Sequence, residues 1–138
     1  MTMRVAKLVA PRKIEITQIP FNPSPAANEV VVKVKAVGIC GTDLHIYQGH
    51  RNDVMLPRVM GHELSGIVIN VGKDVKHLAE GDRVVLDPVF SCGKCMSCQK
   101  GHQNVCTEVR CFGVQMDGGP VCCRDRSQGC YRAWHEDR

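Results

Sequence analysis

Four cysteines near residue 100 constrain this chain more than any other feature of its sequence. The pattern C-x2-C-x2-C-x7-C is formed by Cys92, Cys95, Cys98 and Cys106. A tetrahedral zinc ion needs four donors that converge on one point, and cysteines two residues apart can wrap an ion where the backbone turns tightly. Gly93 and Gly101 allow such turns. Because four thiolates leave no position for another ligand, the pattern predicts a structural zinc ion that is inert towards substrate.

Three other interpretations of these cysteines are weaker. A bacterial iron–sulfur motif also opens with C-x2-C-x2-C, but its next spacing is three residues followed by proline, whereas here it is seven without proline. A redox-active C-x-x-C pair is typical near a βαβ pattern, which this sequence lacks. Buried cysteines without a ligand need apolar neighbours, and residues 91–107 contain hardly any. Since this segment cannot fold by burial of apolar side chains, a metal is the favoured means of holding it.

The composition favours one small globular domain. Of 138 residues, 43% are hydrophobic and 23% are charged, which is enough for a core in a chain too short for two full domains. The net charge is only +4 and aromatic residues make up 4%, so no nucleic-acid partner is expected. No apolar run approaches the roughly 20 residues that span a bilayer, and the N-terminus lacks a signal-like segment. We therefore expect a cytoplasmic protein without a membrane partner, in which the nine cysteines stay reduced.

Short apolar runs separated by turn residues indicate a mainly β fold. An opening hairpin is predicted from residues 4–10 and 14–19, joined at Pro11-Arg12-Lys13. Further strands are predicted at residues 29–38, 64–71, 83–86 and 110–116. Many short strands with turns about every ten residues favour a small, partly open β-barrel or sandwich.

A second group of candidate ligands lies upstream of the cysteine-rich segment. Cys40 comes directly before a predicted helix over residues 42–47, whose N-terminal dipole would favour a thiolate. His62 and Glu63 stand at the entry to a strand, where adjacent side chains point in opposite directions unless the chain bends, and Gly61 permits a bend. Cys40 could equally be a core residue, and His62 and Glu63 could lie in a solvated turn. Spacing alone therefore does not decide between these ordinary roles and a second metal site.

Four stretches of the sequence resemble the zinc-containing medium-chain dehydrogenase family in order and spacing. They are GICGTDLHIY at 38–47, GHELSGIVINVG at 61–72, GDRV at 81–84 and CGKCMSCQKGHQNVC at 92–106. Within the family, the chain is most similar to polyol (sorbitol) and L-threonine dehydrogenases. The resemblance implies an alcohol dehydrogenase GroES-like catalytic domain over residues 1–119, a partly open β-barrel with short helices and a structural zinc lobe at 91–107.

The resemblance also implies a catalytic zinc ion and a proton relay. Cys40, His62 and Glu63 would hold this ion, which would lower the pKa of a bound alcohol hydroxyl. Thr42 would accept the hydroxyl proton, and His45, on nearly the same helix face, would pass it to solvent. Thr42 as a plain helix N-cap and His45 as an ordinary surface residue are alternatives that stay open.

The implied activity is NAD(P)-dependent oxidation of a small-molecule secondary alcohol or polyol, with two Zn²⁺ ions per chain. The sequence has no G-x-G-x-x-G turn and no βαβ unit, so no Rossmann domain and no NAD(P) site are expected in this chain. The nucleotide would bind in the complete enzyme, for which the resemblance implies a homo-oligomer. The alternative functions are a non-catalytic zinc-binding module and an inactive truncated remnant.

The resemblance ends abruptly at Gly118-Gly119. Residues 120–138 are basic and rich in cysteine and show neither periodicity nor a capping pattern, so the sequence assigns no fold to this divergent tail. We therefore expect a truncated or out-of-frame product. In the family, the closing strands of the barrel and any further ligand of the catalytic zinc would lie after the point where the resemblance ends. Strand edges would then be left unpaired.

Overall fold

The computed structural model describes residues 2–118 and, in the tail, the backbone of residues 121–124 and 130–132. Its elements in chain order are β1 (Thr2–Ala10), β2 (Lys13–Pro20), β3 (Glu29–Gly38), α1 (Gly41–Gln48), β4 (Arg58–Val59), β5 (Glu63–Val71), β6 (Arg83–Leu86), β7 (Val89–Phe90), α2 (Met96–Gln99), a 3-10 turn (Gln103–Val105), β8 (Arg110–Cys111), β9 (Val121–Arg124) and β10 (Cys130–Arg132). The predicted mainly β fold with short helices is confirmed. In the described part of the chain, no helix has the length and apolar character needed to cross a membrane.

A three-stranded sheet in the order β2-β1-β4 opens the fold. The predicted hairpin is present, with β1 and β2 antiparallel from Thr2↔Pro20 to Leu8↔Ile14. β4 adds to the other edge of β1 through Lys7↔Val59 and Leu8↔Arg58. This pairing fixes the stretch of chain that leads directly into His62.

A five-stranded sheet in the order β10-β6-β5-β3-β9 forms the larger layer. β3 and β5 run antiparallel from Val30↔Val71 to Gly38↔Glu63. The end of β3 therefore lies beside the start of β5. Because Cys40 follows β3 by two residues and His62 precedes β5 by one, the register alone brings these two residues to the same end of the sheet.

The main core lies against this sheet. Its buried members are all hydrophobic: Val30, Val32, Leu64, Val68, Val75, Leu78, Val84, Leu86 and Phe112. Each buried Val or Leu side chain contributes about 1.5–3 kcal/mol relative to an exposed one. A smaller cluster of Leu8, Ile46 and Val114 ties α1 to β1.

Helix α1 begins earlier than the sequence pattern predicts, because Cys40 and not Thr42 is its N-cap. The Cys40 carbonyl accepts the first helical hydrogen bond, from the Leu44 amide at 3.3 Å. Asp43 Oδ2 in turn accepts a hydrogen bond from the Cys40 amide at 3.0 Å, which satisfies a backbone group that the helix leaves unpaired. Thr42 is thus a helical residue in the first turn. Gly49, with a φ of 80°, ends the helix.

The strand predicted over residues 110–116 is mostly a turn. Only Arg110–Cys111 is extended, as β8 paired with β7. The amides of Val114, Gln115 and Met116 then all donate to the Cys111 carbonyl, at 3.1, 3.1 and 3.2 Å. Gly113 has a φ of 69°, a conformation that interrupts a strand and that glycine tolerates best.

The tail contributes strands to the five-stranded sheet. Residues 121–124 pair antiparallel with β3, from Glu29↔Arg124 to Val32↔Val121. Residues 130–132 pair with β6, from Cys130↔Leu86 to Arg132↔Val84. Contrary to the expectation of unpaired strand edges, β3 and β6 therefore each have a backbone partner from the tail along part of their length.

Candidate metal centres

The four cysteines of the C-x2-C-x2-C-x7-C pattern converge in the structure as the sequence predicts. The sulfur atoms of Cys92, Cys95, Cys98 and Cys106 all lie within 4.8 Å of one another. Sulfurs arranged tetrahedrally about 2.3 Å from one zinc ion would be about 3.8 Å apart, and the Cys95–Cys98 Sγ distance is 3.5 Å. The donor set and its spacing fit a closed zinc site.

Backbone amides aimed at the sulfur atoms support this arrangement. The Cys95 amide donates to Cys92 Sγ, while the amides of Cys92 and Glu108 donate to Cys106 Sγ, each at 3.3 Å. Gly93 and Gly101, at φ values of 71° and 83°, make the turns that place these amides. Hydrogen bonds from N–H groups favour the charged thiolate, which is the form that binds metal.

The protonation of the cysteines reflects these contacts. The Cys98 and Thr107 amides lower the pKa of Cys95 to about 6. The Cys92 and Glu108 amides lower the pKa of Cys106. Burial, with the hydrogen bond to the neighbouring Cys95 sulfur, raises the pKa of Cys98 to about 11. In the ion-free chain at neutral pH, Cys95 is therefore a thiolate and Cys98 a thiol.

We expect the zinc affinity of the four-cysteine site to fall as the pH falls. Because the pKa of Cys98 is raised to about 11, zinc binding at neutral pH must displace its proton, which gives a slope of at least about tenfold per pH unit. Below the Cys95 pKa of about 6, a further proton must be displaced and the slope should steepen. Competition with a zinc chelator between pH 5 and 8 measures this; an affinity independent of pH would contradict it.

A second set of donors converges at the end of the β3–β5 pair. The sulfur of Cys40, a ring nitrogen of His62 and a carboxylate oxygen of Glu63 lie within 4.8 Å of one another. The distance from Cys40 Sγ to His62 Nε2 is 3.1 Å. One sulfur, one imidazole and one carboxylate are all accepted zinc donors, and three protein ligands leave a position open.

Local backbone geometry explains how adjacent residues reach one point. Gly61 has a φ of 96°, which turns the chain immediately before His62 and so overcomes the alternation of an extended strand. Gly38 faces Glu63, and a Cβ atom built on Gly38 would lie 2.9 Å from Glu63 Oε2. The absence of a side chain at residue 38 leaves room for the Glu63 carboxylate. The bend predicted at Gly61 is present.

Asp43 belongs to this site, although it was not among the ligands predicted from the sequence. Its side chain and that of His62 are both buried, with residue exposures of 6% and 7%. Asp43 Oδ1 and His62 Nδ1 lie 3.5 Å apart, and neither atom has a hydrogen-bond partner within the described residues. A small movement would let His62 Nδ1–H donate to Asp43, which would leave Nε2 free for a metal.

Thr42 and His45 lie on α1 beside this site. Thr42 is half-buried in the first turn and His45 is exposed near the last. Within the described residues no hydrogen bond joins the two side chains, and the His45 ring instead lies 6.0 Å from that of His50. The structure therefore places both residues on the helix that begins after Cys40, without a hydrogen bond that links their side chains.

A cavity of about 390 Å³ opens onto the second set of donors. His62 and Glu63 form one wall, while Leu86 and Pro88 contribute an apolar wall. A cavity of this size, apolar with a few polar groups at one side, suits a small organic molecule.

The comparison with protein families gives one match, the alcohol dehydrogenase GroES-like domain, over residues 26–134. Two curated relatives come from Escherichia coli K12. Starvation-sensing protein RspB is 52% identical over 97 residues, which cover 70% of this chain and 29% of RspB. L-galactonate-5-dehydrogenase is 37% identical over 118 residues, which cover 86% of this chain and 34% of that protein. The chain thus spans about a third of the length of these relatives.

Among solved structures, the chain is similar to an alcohol dehydrogenase (rspB) from Escherichia coli CFT073 in complex with NADH. The TM-score is 0.76 at 45% sequence identity, over 86% of this chain and 34% of the other. At 45% identity, the two chains share amino-acid sequence as well as the fold.

Proposed function

Because the chain belongs to the alcohol dehydrogenase GroES-like domain family, we propose that it is the alcohol-binding part of a zinc-dependent NAD(P) oxidoreductase. The observation that carries the proposal is the convergence of Cys40, His62 and Glu63 donors within 4.8 Å beside a cavity. Four cysteine ligands leave a zinc ion no free coordination position, so the four-cysteine site suits a structural role. The second site needs a different explanation, and an open metal centre provides it.

The proposed residue roles follow from the geometry of the second site. A zinc ion held there would supply Lewis acidity, which lowers the pKa of an alcohol hydroxyl towards neutrality. Asp43 would orient His62 through Nδ1 and hold the Cys40 amide through its other oxygen. Thr42 would accept the proton of the hydroxyl, and His45, exposed on the same helix, would release it to solvent.

The proposed substrate is a small secondary alcohol or polyol. The dehydrogenase from Escherichia coli named for L-galactonate supports this class, because that name denotes a chain of neighbouring hydroxyl groups. NAD(P) would be held by a nicotinamide-binding part of a homo-oligomeric complete enzyme, as the NADH complex of the similar structure suggests. The cavity beside His62 and Glu63 would receive the reacting carbon. A reducing compartment such as the cytoplasm would keep the cysteine ligands free of disulfides.

Metal counting tests this proposal on the chain itself. We expect the reduced, zinc-saturated chain to hold two ions, and Cys40→Ser to hold one, because Ser replaces the only sulfur donor of the second site. Cys111→Ser is the matched control: Cys111 is a half-buried free thiol outside both donor sets, and its replacement should leave two ions. Inductively coupled plasma mass spectrometry on desalted protein gives the counts.

A second readout separates an enzyme site from a purely structural one. With Co²⁺ in place of zinc, a small diol should change the visible spectrum of the wild-type chain and not that of Cys40→Ser, because only an open metal site accepts a further ligand. A chain that holds one ion, or a spectrum insensitive to the diol, would favour the non-catalytic zinc module. A chain that holds two ions and responds to the diol, but that does not support NAD-dependent alcohol oxidation, would be an inactive remnant.

A further inference from the structure

The turn at residues 111–118 crosses the chain just before the second metal site. Its last two residues form hydrogen bonds with both backbone polar groups of Val59. The Gly118 amide donates to the Val59 carbonyl at 2.7 Å, and the Val59 amide donates to Asp117 Oδ1 at 3.0 Å. The same Oδ1 accepts from Arg58 Nη1 at 3.2 Å. We name these contacts the Asp117 clamp.

The clamp brings two backbones into direct contact. A Cβ atom on Gly118 would lie 2.6 Å from the Met60 carbonyl oxygen, and one on Gly113 would lie 2.6 Å from the Gly61 carbonyl oxygen. Residues 59–61 therefore have β1 on one side, through the pairing of Lys7 with Val59, and the 111–118 turn on the other. This packing leaves the Gly61 bend little freedom.

The Arg58–Asp117 pair reinforces the clamp by charge. The Arg58 side chain is largely buried, at 13% exposure, while the Asp117 side chain is 57% exposed. An ion pair with one buried partner is screened less than a pair on the open surface. One carboxylate oxygen thus accepts hydrogen bonds from the Val59 backbone amide and the Arg58 guanidinium group, three and four residues before His62.

We propose that Asp117 is a positioning residue for the catalytic metal: by holding Arg58 and Val59 it fixes the Gly61 bend that aims His62 and Glu63 at Cys40. The inference rests on the proposed function, since it concerns ligands of that metal. Asp117 acts through the backbone and touches none of the three donors. Loss of the clamp would let the bend fluctuate, so the donors would be preorganised for a smaller fraction of the time.

Cobalt titration of the full, reduced, metal-free chain tests this proposal. The four-thiolate site and the Cys40–His62–Glu63 site differ in donor set and therefore in visible spectrum, so one titration gives both affinities. We expect Asp117→Ala to weaken Co²⁺ binding at the second site about tenfold, as for the loss of one charge-assisted hydrogen bond, and to leave the four-thiolate affinity unchanged. Asp117→Asn keeps an oxygen that can accept the hydrogen bond from the Val59 amide, so its Co²⁺ affinity at the second site should fall less.

Asp53→Ala is the matched control. Asp53 is exposed to a similar degree, at 48%, and also pairs with an arginine, Arg51, at 2.6 Å. It accepts a hydrogen bond from Gln115 of the same turn at 3.0 Å, but it is not part of the clamp. Its replacement should leave both affinities unchanged.

Each outcome decides the proposal. Equal weakening of both sites in Asp117→Ala, or equal effects of Asp117→Ala and Asp53→Ala, would mean a general loss of stability and would overturn positioning. Unchanged affinity in Asp117→Ala would overturn it directly, while the proposed function would stand. A wild-type chain that binds Co²⁺ only at the four-thiolate site would instead overturn the proposed function and this inference together.

Discussion

Replacing Gly113 with alanine is expected to lower the free energy of unfolding of the zinc-saturated chain by about 2–4 kcal/mol. Two costs add. Gly113 has a φ of 69°, which an alanine adopts at a cost of roughly 1–2 kcal/mol. The new Cβ would also lie 2.6 Å from the Gly61 carbonyl oxygen and 2.8 Å from the Gly61 nitrogen, so one backbone must move. Urea denaturation followed by circular dichroism measures the loss.

Gly81→Ala separates these two costs. Gly81 has a φ of 91° and no atom within 4 Å of a Cβ built on it. It should therefore show only the conformational cost of about 1–2 kcal/mol. Because the backbone that must move in Gly113→Ala precedes His62, that variant should also bind Co²⁺ more weakly at the second site. Equal losses of stability in the two variants would refute the close contact between residues 113 and 61.

Replacing Cys98 with serine is expected to abolish the structural zinc site and to unfold residues 91–107. Within this segment only Cys98 and Cys106 are buried, so burial of side chains cannot replace the metal. Structural zinc sites in small peptides contribute about 10–16 kcal/mol of apparent binding free energy at neutral pH. Trypsin, which cuts after Lys94 and Lys100, should cleave the variant rapidly while the zinc-loaded chain resists.

Cys111→Ser again serves as the control for the loss of a thiol. Cys111 is half-buried, and burial, with the nearby Cys40 and Asp43, raises its pKa, so at neutral pH it is an uncharged thiol outside both donor sets. The variant should keep the resistance of the wild-type chain to trypsin. A strong chelator added to wild-type protein should reproduce the cleavage pattern of Cys98→Ser. Slow cleavage of Cys98→Ser at these lysines would show that the lobe folds without its metal.

The convergence of the four cysteines could be predicted from the sequence because these residues are close together in the chain. Spacing of two, two and seven residues, with glycines at the turns, is a local property that the backbone can realise by itself. The predicted bounds of β3, β5 and β6 likewise agree with the structure to within one residue, because apolar alternation and turn residues are local signals. The family resemblance drawn from the motifs is confirmed by the match over residues 26–134.

The sequence pattern failed where a distant contact decides the local conformation. Residues 110–116 look like a strand, but Gly113 approaches Gly61 closely and the chain forms a turn there. Thr42 looks like an N-cap, but Asp43 captures the Cys40 amide and starts the helix earlier. Residues 120–138 carry no readable pattern, and pairing with β3 and β6 gives strand backbone to two parts of them.

The amino-acid sequence alone therefore determined the candidate donors themselves, namely which side chains offer sulfur, nitrogen and oxygen and which four cysteines come together. Only the tertiary structure decided that Cys40 meets His62 and Glu63, because this depends on the β3–β5 register and on the Gly61 bend. It also decided that Asp43 faces His62 and that Asp117 holds Val59. The physical reason is distance along the chain: short spacings are set by local backbone geometry, while contacts between residues 19 to 58 apart depend on the packing of the whole domain.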